Sequence, residues 1–276
     1  MRAIAAVAVL LTVSGIAGAG SATARPAPQP DTPLAGIAAC PAGTRGDAPV
    51  LLIHGTGATV EKSFGAVRQA LLDDGRCVYG LDYDSTRPLS DSVDYFAAAV
   101  DRITAVNDGA PVDVIGKSQG ALIARAVSLK FTDRQENPVR SVIAVSGPQY
   151  GVTLAGMTLG AAAAALPPDI PFPTPALRDM LAGSPYLTDL NSGPMTAPGV
   201  AYTMIASRDD EMVTPYTAAF IDAPNVTNIL LQDGCPEDHS GHLAESTDPR
   251  SVDLVLHALD PQRHTRIRCT ANDERK

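Results

Sequence analysis

Short apolar runs rich in β-branched residues recur along this chain, separated by longer stretches whose apolar positions fall three and four residues apart. The short runs read as buried strands: Pro49 to Ile53, Cys77 to Leu81, Val112 to Ile115, Ser141 to Val145, Tyr202 to Ile205 and Val226 to Leu231. The longer stretches read as helices. Phe64 to Leu72 is one, and Ser90 to Val106 is another, with Val93, Phe96, Val100, Ile103 and Val106 on one face and Ser90 or Asp91 able to cap it. Ala121 to Val127 follows the third strand, and a final helix opens at Asp248-Pro249, a capping residue followed by a proline suited to the first helical position. Fully apolar strands alternating with amphipathic helices predict an α/β fold, a mostly parallel central sheet with helices on both faces, in one domain spanning residues 40–276.

Residues 151 to 183 break this alternation. Leu154 through Leu166 is apolar and alanine-rich, and a proline-rich segment from Pro167 to Pro173 follows. A buried core helix explains the first part. A mobile apolar flap over the carboxyl edge of the sheet, where ligands of such sheets bind, explains it equally well.

The N-terminus changes the picture of where the protein works. Arg2, an almost wholly apolar stretch from 3 to 20, and Ala22-Thr23-Ala24 form a secretory signal with cleavage expected near Ala24. Residues 25–39 then read as a flexible mature N-terminus, and about 250 residues remain for the domain. Four cysteines, Cys40, Cys77, Cys235 and Cys269, are an even count in an exported chain and predict two disulfides, with three connectivities open. Their wide spacing argues against a zinc site. The net charge of -9 and the lack of a basic face exclude nucleic acid as a partner.

The candidate chemistry centres on Gly116-Lys117-Ser118-Gln119-Gly120, a G-x-S-x-G between a predicted strand and a predicted helix. That setting is a nucleophile elbow: a tight turn lifts the serine clear of the sheet, and the glycines let backbones pass close by. A neutral serine needs a base, and the base needs an orienting acid. The loop Gly234 to His242, after the last predicted strand, carries His239 and His242. His239 is the expected base because it lies nearer the strand, with His242 as the alternative. Arg208-Asp209-Asp210-Glu211 follows the preceding strand, where the acid belongs, and spacing alone does not separate Asp209 from Asp210. Oxyanion donors are expected from the backbone N–H of Gln119 and from Thr56 in the loop His54 to Thr59 after the first strand.

Taken together, Pro49 to Gly57, Ser118-Gln119-Gly120, Tyr150 to Gly156, Asp210 to Pro215 and Asp238 to Gly241 resemble the Candida antarctica lipase B-like secreted lipases, actinobacterial members included. The likeness runs in order from about Cys40 to Cys269. It implies an α/β-hydrolase fold, hydrolysis of carboxylic esters including triacylglycerols, and no cofactor or metal. By motif position it makes Ser118 the nucleophile, Asp210 the acid, His239 the base, and Thr56 and Gln119 the oxyanion donors. It also implies the disulfides Cys40–Cys77 and Cys235–Cys269.

The chain departs from that pattern in three places. His54 stands where the family has proline, Lys117 replaces a bulky aromatic beside the nucleophile, and the sequence ends soon after Cys269, without residues matching the family's C-terminal extension. Pocket size and alcohol selectivity therefore do not carry over. The expected substrate is a small-molecule or lipid ester, with Leu154, Met157 and Leu159 contacting the acyl chain, transient contact with a lipid interface, and a monomeric enzyme. A secreted acyltransferase or polyester depolymerase would use the same triad. A non-catalytic binding protein on this scaffold would usually lack one of its elements, and none is lacking here.

Overall fold

The computed structural model describes residues 32–45, 48–153 and 173–272. Six strands carry the fold: β1 (Val50–Ile53), β2 (Val78–Gly80), β3 (Val112–Lys117), β4 (Val139–Val145), β5 (Ala201–Ala206) and β6 (Val226–Leu230). They form one sheet in the order β2-β1-β3-β4-β5-β6, and every neighbouring pair is parallel. All carboxyl ends therefore lie along one edge, with β3 near the centre.

Helices cover both faces, as the buried central strands require. A short first helix, α1 (Thr32–Ala35), precedes β1. On one face α2 (Val60–Asp73) and the last helix of the described chain (Pro249–Leu259) pack over Leu52, Ile115, Ile143, Val145 and Ile205. On the other face α3 (Leu89–Val106) and α4 (Gln119–Leu129) pack over Leu51, Ile53, Val114, Val142 and Met204. Fully burying side chains of this kind contributes about 1.5–3 kcal/mol each, so the two apolar layers hold the sheet rigid beneath its loops.

The helix ends show local chemistry at work. Thr59 caps α2 by accepting from the N–H of Lys62, which starts the helix earlier than the periodicity indicated. Asp248 caps the last helix through the N–H of Ser251, with Pro249 in its first turn, as expected. Neither Ser90 nor Asp91 caps α3. Pro88 occupies the N-cap, and Asp179 accepts from the N–H of Leu89 at 2.8 Å, a partner 90 residues away in sequence.

Two further helices, α5 (Pro175–Met180) and α6 (Pro185–Leu190), occupy the irregular region before β5, each capped by a serine or threonine hydroxyl. Ile37 is buried and packs into the core, so packing begins inside the segment expected to be flexible. Both disulfides, Cys40–Cys77 and Cys235–Cys269, are formed. Among the described residues no helix is long and apolar enough to cross a membrane. The signal segment and Leu154, Met157 and Leu159 lie outside the described residues.

Candidate active site

Ser118 sits between the end of β3 and the start of α4 with φ 54° and ψ -122°. A non-glycine residue in this region stores strain, and the sharp turn it permits is what projects the side chain off the sheet. The flanking glycines are sterically required. A Cβ on Gly116 would come within 2.2 Å of the carbonyl oxygen of Gly120, and one on Gly120 within 1.9 Å of that of Ile53. The elbow thus packs directly on the end of β1.

The loop after β1 closes over the serine. A Cβ on Gly55 would lie 3.2 Å from Cβ of Ser118. The next residue, Thr56, donates its hydroxyl proton to the side-chain oxygen of Gln119 at 2.6 Å. The Gln119 amide in turn donates to the carbonyl of Ser85 at 3.1 Å, and Gln119 is fully buried. Because Gln119 opens α4, its backbone N–H belongs to the first turn, whose donors have no partner within the helix. Thr56 and Gln119 therefore lie together beside Ser118.

His54 holds this loop. The N–H of Tyr83 donates to Nε2 of His54, the Tyr83 hydroxyl donates to the His54 carbonyl, and Nδ1 faces the carbonyl of Gly55 at 2.8 Å. A backbone N–H can only donate, so Nε2 accepts and Nδ1 carries the proton. Burial lowers the His54 pKa, opposed in part by the Gly55 carbonyl and Asp82, and keeps the ring neutral. The ring thus serves as a fixed strut of the loop after β1.

The two candidate acids take different partners. Asp210 accepts from Nδ1 of His242 at 2.8 Å, with both side chains nearly inaccessible to solvent. Asp209 pairs with Nδ1 of His239, also at 2.8 Å, but both of those side chains are about one third exposed. The expectation that His239 partners Asp210 is therefore corrected: His242 does. The backbone explains why. The N–H of His239 donates to the carbonyl of Asn272 at 2.8 Å, and Asp238 accepts from both the N–H and the hydroxyl of Ser240. That tight turn directs His239 outward and brings His242 inward.

Burial opposes ionisation of Asp210, but the hydrogen bond and charge of His242, with the N–H groups of Val213 and Met212, outweigh it and hold the carboxyl below its ordinary range. An ionised carboxylate can only accept, so Nδ1 of His242 donates and Nε2 is the basic nitrogen.

Lys117, the charge that replaces an aromatic beside the nucleophile, has buried partners. Its ammonium donates to the His242 carbonyl at 2.6 Å and to Oε2 of Glu245 at 3.1 Å. The residue preceding Ser118 thus reaches the backbone of His242, which brings the Asp210–His242 pair to the nucleophile's side of the sheet edge. Glu211 accepts from the N–H of His242 at 3.0 Å. Nothing in the local pattern around Glu211 or Glu245 marks these roles.

The sequence matches the family model described as Lipase (class 2) over residues 47–253, well over half of its length. The chain belongs to the class 2 lipases. A comparison with curated proteins gives no match. Among solved structures, the chain is similar to Aspergillus fumigatus lipase B, with a TM-score of 0.66 and 22% identity over 86% of its length. It spans 57% of the length of that protein. It is also similar to Bacillus licheniformis lipase BlEst2 in its mature form, with a TM-score of 0.58 and 15% identity over 77% of this chain and 92% of the other. The product of the gene lin2722 from Listeria innocua gives a TM-score of 0.52 and 14% identity, covering 78% of this chain and 94% of the neighbour. The fold is that of an α/β hydrolase, and the family is one of ester hydrolases.

Proposed function

We propose that this lipase is a secreted serine carboxylic-ester hydrolase of the Candida antarctica lipase B-like kind, acting on triacylglycerols or similar acyl esters through Ser118, His242 and Asp210. The observation that carries the reading is the buried Asp210–His242 hydrogen bond, linked through Lys117 to the elbow of Ser118. In this reading Nε2 of His242 takes the Ser118 proton as Oγ bonds to the ester carbonyl carbon. The N–H of Gln119 and the Thr56 side receive the developing oxyanion; one such donor contributes about 2.7–4 kcal/mol to the transition state. The carbon–oxygen bond to the alcohol then breaks, and the imidazolium returns its proton to the departing alkoxide. Water, activated by the same nitrogen, cleaves the acyl-enzyme and regenerates Ser118. Asp210 keeps the ring in one tautomer and stabilises its charged form.

Export is supported by the leader-like N-terminus and by two disulfides, which persist in oxidising compartments. Met212 and Leu243 are large exposed apolar side chains within two residues of Asp210 and His242, which supports an ester with an apolar acyl group and transient contact with a lipid interface. The enzyme acts as a monomer in this reading. Leu154, Met157 and Leu159 supply further apolar surface to the acyl chain in this reading.

Incubating the mature protein with an alkyl phosphonate and mapping the adduct by mass spectrometry tests the reading. A single adduct on Ser118, with loss of p-nitrophenyl ester hydrolysis, is expected. No adduct, or one elsewhere, overturns it. Product analysis with water and alcohol acceptors separates a hydrolase from an acyltransferase.

A further inference from the structure

We propose that Lys117 and Glu211 are positioning residues that grip the two backbone groups of His242 and set its ring for proton transfer. This rests on the assignment of His242 as the base. Each of the two sits next to a proposed triad member in sequence, Lys117 beside Ser118 and Glu211 beside Asp210. Glu211 takes the N–H of His242 at 3.0 Å, and Lys117 gives a proton to its carbonyl at 2.6 Å. With Asp210 holding Nδ1 at 2.8 Å, the residue is fixed at three points. The base is thereby tied through side chains to the same two turns that carry the nucleophile and the acid.

Charge burial points the same way. Lys117 is 4% exposed and Glu245 is fully buried. Removing two charges from water is costly, and an apolar pair of similar volume is often as stable or more so. Burial pushes the Glu245 carboxyl above its ordinary value, and the ammonium of Lys117 works against this. Ser146, at the end of β4 with φ 49°, donates its hydroxyl to the same oxygen, Oε2, that Lys117 contacts. Glu245 and Ser146 therefore aim the ammonium, and its remaining partner is the carbonyl of the base. The ammonium has three protons to place, and one of them goes to the backbone of the base. In this arrangement the loop after β6 has little freedom to rotate the imidazole away from Ser118.

The test uses the double variant Lys117→Met/Glu245→Gln, which removes both charges and leaves a side-chain amide to accept from Ser146. Active-site titration with a phosphonate counts competent molecules, and kcat, KM, labelling rate and Tm are measured. Positioning predicts a kcat loss of about 10- to 100-fold, a KM within about threefold of the parent, and labelling slowed in proportion to kcat. A folded double variant with parental kcat and labelling rate overturns the inference, whatever happens to Tm. Should that variant not fold, Glu211→Ala at the exposed anchor carries the test. It is expected to lower kcat about three- to tenfold at unchanged KM, and unchanged kcat rejects the grip. Parallel assays of His242→Ala separate the two layers: if that variant stays active the base assignment itself has failed, whereas an inactive His242→Ala beside a fully active double variant rejects only the grip.

Discussion

Oδ2 of Asp210 accepts the Nδ1 proton of His242 at 2.8 Å in a site closed to solvent, while a second pair of the same composition, Asp209 and His239, lies beside it partly exposed. The two pairs are equal in length and unequal in consequence. Charge interactions between exposed groups are weakened by water and salt, whereas a buried carboxylate acts on its imidazole in a medium of low polarity. The surroundings of the inner pair are the ones that favour holding one tautomer and stabilising an imidazolium.

Exchanging the acids one at a time measures that difference. Asp210→Asn removes the charge and favours the wrong tautomer, and kcat is expected to fall by about 10⁴. Asp209→Asn is expected to change kcat by less than about threefold, as for an exposed pair. Steady-state kinetics on a short p-nitrophenyl ester reads both, and similar losses from the two variants would contradict the distinction.

The elbow glycines predict a stability effect separable from chemistry. A methyl group on Gly120 meets the backbone oxygens of Ile53 and His54 at 1.9 and 2.6 Å, and neither backbone can yield without disturbing β1. Gly120→Ala is therefore expected to prevent folding or to lower Tm by more than about 10 °C, given that each kcal/mol shifts Tm by about 2–4 °C in a domain of this size. Circular dichroism melting checks it. A Tm within a few degrees of the parent would contradict the packing of the elbow on β1.

His54 predicts how stability depends on pH. Its folded-state pKa is held below the ordinary 6.5, so the unfolded chain takes up a proton more readily at this position. Stability is thus fully present above that value and declines as pH falls below it. Asp210, held below 3.8, adds a loss of the same sign at more acid pH. In His54→Gln, which keeps an acceptor for the N–H of Tyr83, the fall in Tm between about pH 7 and 5 is expected to flatten. An identical slope in parent and variant would contradict the strut.

Much of this architecture was legible in the chain because it rests on local pattern. β1 is wholly apolar and Val114-Ile115 leads into the elbow of Ser118, and strands buried on both faces have no other reading once they alternate with helices. Asp248-Pro249 marks a helix start by capping chemistry alone. The helices α5 and α6 carry similar marks, Thr174-Pro175 and Ser184-Pro185, but at six residues each they are too short to show periodicity.

The choice between His239 and His242 was not legible from spacing. It depends on a turn closed by the Asp238 side chain and on a hydrogen bond from His239 to Asn272, the second of which exists only once the C-terminal segment has folded back. The resemblance by motif position pointed to His239, and distance along the chain did not reveal which ring turns inward. Lys117 was conspicuous as a charge beside the nucleophile, yet its partners, His242 and Glu245, lie more than 120 residues away in sequence.

Measuring kcat for His242→Ala and His239→Ala side by side, each normalised to folded protein, decides which imidazole serves as the base. A loss of about 10⁴-fold or more is expected for His242→Ala, with near-parental turnover for His239→Ala. An active His242→Ala beside an inactive His239→Ala would contradict the assignment of His242.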